Sequence, residues 1–248
     1  MLGVALVQAG LAAIVAGLAI AAVPAGTLGS SRPHGLWLAA LGLLVAIGGA
    51  LLPARRRTTT GRRAIIDDYA PEWECDENHA RRMAAPPARV YAAIRTLPAG
   101  DIRFFHTLTW LRRFGRPLPP GILHAPKDLP IIDTAVAGGF VLLAEDAPRE
   151  VAVGAVVIGQ GRLTQPLTPA QFGAIAGPGF AKATMNFLIA DDGAGGSIVT
   201  TETRVHGTDA RSARRFAMYW RIIQPGSALI RRMWLRAIQR RAEGGTGS

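Results

Sequence analysis

Two stretches at the start of the chain carry apolar residues and no charge. Residues 2–31 hold no Asp, Glu, Lys or Arg, and after Arg32 the same is true of residues 33–54. A helix of about 20 apolar residues crosses the ~30 Å hydrocarbon core of a bilayer. The pattern therefore predicts a first span over residues 2–23, a Gly/Ser turn over 25–31 after Pro24, and a second span over about 35–52. A cleavable secretory signal would open on basic residues; residues 1–10 have none, and a second apolar stretch follows directly. Small residues recur at every fourth position in each span (Ala13, Gly17, Ala21; Gly42, Ala46, Ala50), a spacing that lets two helix backbones approach closely.

Further along, the period of the pattern changes. Residues 73–83 read as a strand, and a helix opens at Pro86-Pro87 with Val90, Ala93, Ile94 and Leu97 on one face. A second helical stretch covers 102–114 before Pro117, Pro119, Pro120 and Gly121 interrupt the chain. Residues 139–145 and 149–158 flank an Asp146-Ala147-Pro148 turn and predict a hairpin; 181–190 and 197–206 flank a Gly-rich turn and predict another. In this second hairpin Ala181, Ala183, Met185, Phe187 and Ile189 oppose Lys182, Thr184 and Asn186. Its other strand sets Val199, Thr201, Thr203 and Val205 against Glu202, Arg204 and His206, the alternation of a sheet wet on one side.

The chain ends in helical spacing. Phe216, Trp220 and Ile223, then Ile230, Trp234, Ala237 and Ile238, line one face, with Arg residues on much of the other. Pro225 should kink or break this helix, with Ser227 available to cap its second half. Strands, short helices, antiparallel hairpins and a long last helix make an α+β domain.

Composition narrows the class. At 49% apolar and 18% charged over 248 residues the chain is not disordered. Its one cysteine, Cys75, excludes a disulfide framework and a multi-cysteine metal site. The net charge of +11 is uneven: Arg32 with Arg55, Arg56, Arg57, Arg62 and Arg63 supplies +6, residues 67–203 carry −3, 204–241 carry +9, and Glu243 adds −1. Basic residues beside a span stay on the cytoplasmic side. The reading is therefore a transmembrane hairpin over 1–54, a basic juxtamembrane linker over 55–66 and a cytoplasmic domain over 67–248, multi-pass in the cell membrane.

The search for chemistry is mostly negative. The run 193–196 precedes a strand and lacks the Lys-Ser/Thr of a phosphate-binding loop. The five histidines include no pair at the spacing of a zinc-binding helix, so neither metal nor cofactor is expected. Nucleic acid is not an expected partner either, because no reading module accompanies the basic helix. Glu202 and Arg204 share a strand face and read as an ion pair, while Asp67 and Asp68 read as counter-charges to nearby Arg. Glu202, His206 and Tyr219 have acid–base chemistry and are the weak catalytic candidates.

Several of these runs resemble a known group. Pro178-Gly179-Phe180-Ala181-Lys182-Ala183, Thr201-Glu202-Thr203-Arg204-Val205, Arg214-Arg215-Phe216, Tyr219-Trp220, Pro225-Gly226-Ser227 and Ile230-Arg231-Arg232 resemble bacterial proteins of the SRPBCC, or START-like, superfamily. The strand at 139–143 with Glu150 and Gly154, and the helix start at Pro86-Pro87-Ala88-Arg89-Val90, fit the same pattern. The resemblance covers about residues 70–243. It implies a helix-grip fold, a curved antiparallel sheet around a long C-terminal helix, with a cavity for hydrophobic ligands between them. Met185, Phe187, Thr201 and Thr203 from the sheet and Phe216 and Trp220 from the helix are the residues expected to bind such a ligand. Members include lipid carriers and polyketide cyclases or dehydrases. Where relatives have an aromatic residue after the glycine of the second strand, this chain reads Gly154-Ala155.

Three functions follow as expectations. The first is a membrane-anchored module that binds a hydrophobic small molecule or lipid in an internal cavity. A cyclase- or dehydrase-type enzyme in the same cavity is the alternative, and an enzyme is the less expected of the two. The third is a peripheral module whose Arg231, Arg232 and Arg236 meet anionic lipid or a partner protein.

Overall fold

The computed structural model describes residues 2–23, 31–101, 129–164 and 166–244. The turn expected at 25–31 lies outside them but for Ser31, and the helix expected at 102–114, the Pro/Gly interruption after it, His106 and His124 lie wholly outside. The chain divides into two compact units, one of 1–54 with 214–224 and the other of 55–213 with 225–248.

In the first unit, helices α1 (Leu2–Ala21) and α2 (Ser31–Leu51) are each long and apolar enough to cross a membrane. Helix α2 begins four residues earlier than its charge-free stretch suggested. Arg32 and Pro33 fall in its first turn, where a residue without an N–H costs nothing. The two helices meet through glycine. Gly3, Gly10 and Gly17 on α1 and Gly35, Gly42 and Gly49 on α2 recur every seven residues. A Cβ on Gly10 would lie 2.5 Å from the Gly42 carbonyl oxygen, and one on Gly17 equally close to that of Gly35. The pairing is therefore antiparallel and in register. The four-residue spacing also lands in the interface, with Ala46 against Gly10, Ala13 against Gly42 and Ala21 against Gly35. Outward, Val15, Leu18, Trp37 and Leu44 are exposed.

The last helix, α7 (Ala210–Glu243), runs through Pro225 without a break, contrary to expectation. Pro225 has no N–H to offer the Arg221 carbonyl four residues back, and the Gln8 side chain of α1 supplies that bond instead, Nε2 to O at 2.7 Å. Arg221 is itself buried and donates to the carbonyls of Ala50 and Leu52 at 2.5 and 2.6 Å, two of the orphan acceptors at the end of α2. Because the helix is continuous, Ser227 caps nothing and is buried within it.

The second unit is built on a five-stranded antiparallel sheet formed by β3 (Cys75–Met83), β4 (Val141–Asp146), β5 (Glu150–Ile158), β6 (Ala181–Asp191) and β7 (Ser197–Gly207), in the order β3-β7-β6-β5-β4. Both predicted hairpins are present, and in β6–β7 Met185 pairs with Thr203 and Phe187 with Thr201. One face of the sheet, the inner face, packs on α4 (Pro87–Thr96) and on α7 residues Trp234, Leu235 and Ile238; Val151, Val153, Met185, Phe187 and Val199 fill it. Val90, Ala93, Ile94 and Leu97 are all buried, as their spacing required.

The opposite face is covered too, which corrects the expectation of a sheet wet on one side. Lys182, Thr184 and Asn186 are at most 8% exposed. Their cover comes from short pieces that leave no periodic trace: β1 (Arg57–Thr58) paired with β2 (Glu72–Trp73), the single turn α3 (Ile66–Tyr69) and α6 (Pro169–Ala174), while α5 (Ile131–Ala137) packs with α4 on the inner side. Phe172 of α6 is wholly buried over Gly154, where a Cβ would come within 2.7 Å of its ring. An aromatic ring thus stands beside Gly154 after all, delivered from another element of the chain. Residues 55–66 are accordingly no free linker: Arg56 meets Glu72 and Glu74, Arg57 meets Asp76 and Arg62 meets Asp68.

Candidate functional site

Polar side chains gather on both faces of the sheet, and the two gatherings differ in how completely their charges are paired. On the outer face the carboxylates and the guanidinium have partners, and the buried unpaired atoms belong to Thr184, Trp73 and His206. Arg204 of β7 donates to Asp67 at 2.7 Å, to the Ala70 carbonyl at 3.1 Å and to Glu202 at 2.6 Å, with its guanidinium 4.0 Å from the centre of the Trp73 ring. Glu150, wholly buried, accepts from Asn186 at 2.6 Å and from the Ile65 amide at 2.8 Å. These bonds clasp residues 59–73 onto the sheet around an open cleft of about 320 Å³. Glu202 belongs to this clasp, and His206 lies 3.6 Å from Glu74. Asp68 is the counter-charge its sequence position suggested, whereas Asp67 is buried beneath Arg204.

The clasp carries a pH dependence. Burial raises the Asp67 carboxyl, but the Arg63 amide, the Arg204 guanidinium and the Ala64 amide outweigh it and hold the group below its usual range. Glu74 is likewise lowered: burial opposes the facing His206 and the Gly207 amide, which together win. Asp209, the N-cap of α7, is held down to about 2 by the Gly179 and Ser212 amides. All three have folded values below their unfolded ones, so the native state binds fewer protons. Their stabilisation is complete above the unfolded carboxylate range, about 4, and is lost as pH falls through the lower folded values. Denaturant midpoints of the domain are expected to fall steadily as pH drops from about 4.5 to about 2, and a flat profile there would refute this assignment.

On the inner face a carboxylate oxygen is itself left over. Glu77 and His79 of β3 stand beside Thr203 and Thr201 of β7, so these four share one face. Arg231 of α7 donates to Thr203 at 3.1 Å and lies 5.3 Å from the Trp234 ring centre. His79 Nε2 is 2.6 Å from Glu77 Oε1. Yet Glu77 Oε2, Thr201 Oγ1 and Trp234 Nε1, all buried, find no hydrogen-bond partner among the described residues. A buried polar atom left unpaired costs about 1–3 kcal/mol, and three in one neighbourhood are rare without something to complete them.

The structure thus distributes the expected ligand residues unevenly. Met185, Phe187, Thr201 and Thr203 lie together on the inner face, with the Phe187 and Trp234 rings edge to face at 5.0 Å. Phe216 and Trp220 are buried in the stretch of α7 that belongs with the helical hairpin, stacked at 5.9 Å, and Tyr219 packs on Phe216 there. Glu77 and His79 were missed by sequence reading. In a strand reading Asp-Glu-Asn-His-Ala-Arg-Arg, nothing marks which charged positions face inward; only the register with Thr203 and Thr201 does. Chemically the pair can hold an imidazole in one orientation. With Nε2 donating to the carboxylate, Nδ1 is left as the basic nitrogen. No group of three or more His, Cys, Asp or Glu is placed to hold a metal ion among the described residues.

No family model and no curated protein matches the chain. Among solved structures, the crystal structure of the Thermus thermophilus protein TTHA0849 superposes on 70% of this chain and 100% of its own length at 11% identity, with a TM-score of 0.30, too loose a likeness to bear on fold or function.

Proposed function

We propose that this protein is a membrane-anchored module of the START-like (SRPBCC) type, with its domain on the cytoplasmic side of the cell membrane, that binds a hydrophobic small molecule or lipid between the sheet and the last helix. The observation that carries this reading is the trio of unpartnered buried atoms on Glu77, Thr201 and Trp234. They sit at the border between the apolar part of the inner face and Arg231, so an amphipathic ligand would set its body against apolar side chains and its polar end against these atoms. The two apolar helices support the location, since they would hold such a site beside a reservoir of apolar molecules. Arg55, Arg56 and Arg57 directly after α2 support the orientation.

The test uses the full chain extracted in mild detergent. Mass spectrometry of its organic extract is expected to show one molecular class enriched over the bulk lipid. The T201V/W234F variant should retain about tenfold less, the effect of losing one or two buried hydrogen bonds. Extracts indistinguishable from bulk lipid in both proteins would end this reading.

A second reading, an enzyme of the cyclase or dehydrase type, is favoured by the Glu77–His79 contact, because a carboxylate-oriented imidazole is a general base. It is distinguished by turnover of the extracted molecule: loss in H79Q with binding intact supports chemistry, and unchanged extract composition on incubation argues for binding alone.

A further inference from the structure

One surface of the second unit gathers positive charge with no acidic side chain lining it among the described residues. Where β3 passes α7, Asn78, His79 and Arg81 face Arg232, Leu235 and Arg236 across an open cleft of about 360 Å³. Arg81 donates to Gln239, which fixes its side chain along the cleft wall. Arg232 and Arg236 are exposed, stand one helical turn apart and form no ion pair among the described residues. Like charges at that spacing repel. Among the described residues no carboxylate lines the cleft, and those of Glu77 on β3 and Glu243 on α7 are engaged, Glu77 with His79 and Glu243 with the Ala84 amide and Gln239. Elsewhere on this unit Arg56, Arg57, Arg62 and Arg82, also exposed, each have an acidic partner. The guanidinium groups of Arg81, Arg232 and Arg236 are therefore left without an acidic partner among the described residues.

We infer that this cleft is a binding site for a phosphate-type oxyanion, held by Arg81, Arg232 and Arg236. Guanidinium groups from a strand and a helix can grip such an anion from two directions, and each forked contact is charge-assisted. The site stands whether or not the inner face takes an apolar molecule. The oxyanion can come from a phospholipid headgroup or from a free phosphate compound, and the chemistry of the cleft is the same for both.

The full chain in phosphatidylcholine nanodiscs is titrated with inorganic phosphate. In parallel, retention of each lipid is read by native mass spectrometry from nanodiscs of phosphatidylcholine mixed with phosphatidylglycerol. The R232Q/R236Q variant is compared with R211Q/R214Q, which removes the same charge from exposed positions elsewhere on α7. Saturable phosphate binding that weakens about tenfold or more in R232Q/R236Q alone, the loss of a single charge-assisted contact, supports a free phosphate ligand. Preferential phosphatidylglycerol retention that disappears in R232Q/R236Q alone supports a lipid headgroup. Absence of both effects, or equal effects in the two variants, overturns the site. The single R236Q variant, with circular dichroism as the check on folding, repeats the comparison with the smallest change to the helix.

Discussion

Replacing Arg204 by Met should destabilise the domain by about 3–5 kcal/mol, the largest effect expected of any single change in the sheet. The guanidinium is the shared partner of Asp67, Glu202 and the Ala70 carbonyl, and its side chain is only 8% exposed. Met fills much of the same volume, so the loss reflects charge left behind rather than a cavity. Asp67 would remain buried, its carboxylate supported only by the Arg63 and Ala64 amides and Thr59. The corollary is that the triple variant D67N/E202Q/R204M recovers most of the loss, because a buried ionic cluster replaced as a whole costs far less than one broken. Denaturant unfolding followed by the fluorescence of Trp73, which lies under the guanidinium, reads both numbers. A loss below about 1 kcal/mol in the single variant, the scale of an exposed pair, would show that the clasp is solvent-screened.

Gly10→Val is expected to pull apart the two apolar helices. Its Cβ would lie 2.5 Å from the Gly42 carbonyl oxygen and 2.6 Å from the Ala46 nitrogen, backbone atoms that cannot rotate away. Overpacking of this kind costs about 1–3 kcal/mol or more, and close backbone approach is the main attraction available to helices in lipid. Gly48 is the internal control: on the same helix pair, nothing lies within 4 Å of a Cβ built there, so Gly48→Val should be nearly silent. The interhelical distance from paired spin labels should lengthen in G10V and stay unchanged in G48V. Equal behaviour of the two variants would mean the glycines do not set the contact.

These two sites also show where the sequence was readable. Helices α1 and α2, both hairpins of the sheet, the helix opening at Pro87 and the core positions Val90, Ile94 and Trp234 all follow from local periodicity, which burial on one side imposes on a chain. Covering the second face of the sheet is different. It is done by a two-residue strand, a one-turn helix and Phe172, pieces too short to repeat, so Lys182, Thr184 and Asn186 read as solvent-facing until Phe172 and its neighbours are in place. The Glu202–Arg204 pair was legible because both lie two apart on one strand; its third member, Asp67, sits 137 residues away from Arg204 and was not. Glu77 and His79 failed for a related reason, since only pairing with β7 assigns an edge strand rich in charge to an inward face. The seven-residue glycine repeat was present in the sequence but masked by the shorter four-residue spacing of alanines that share the same interface.

The bond from Gln8 to the Arg221 carbonyl joins two residues 213 positions apart. A chain folds as it is synthesised, N-terminal parts first. Gln8 precedes Arg221 in the chain, so the donor is already present when its acceptor is made. Until then the segment before Pro225 has a gap in its ladder and no means of closing it from within. Helix α1 thus closes from outside a ladder that α7 cannot close from within.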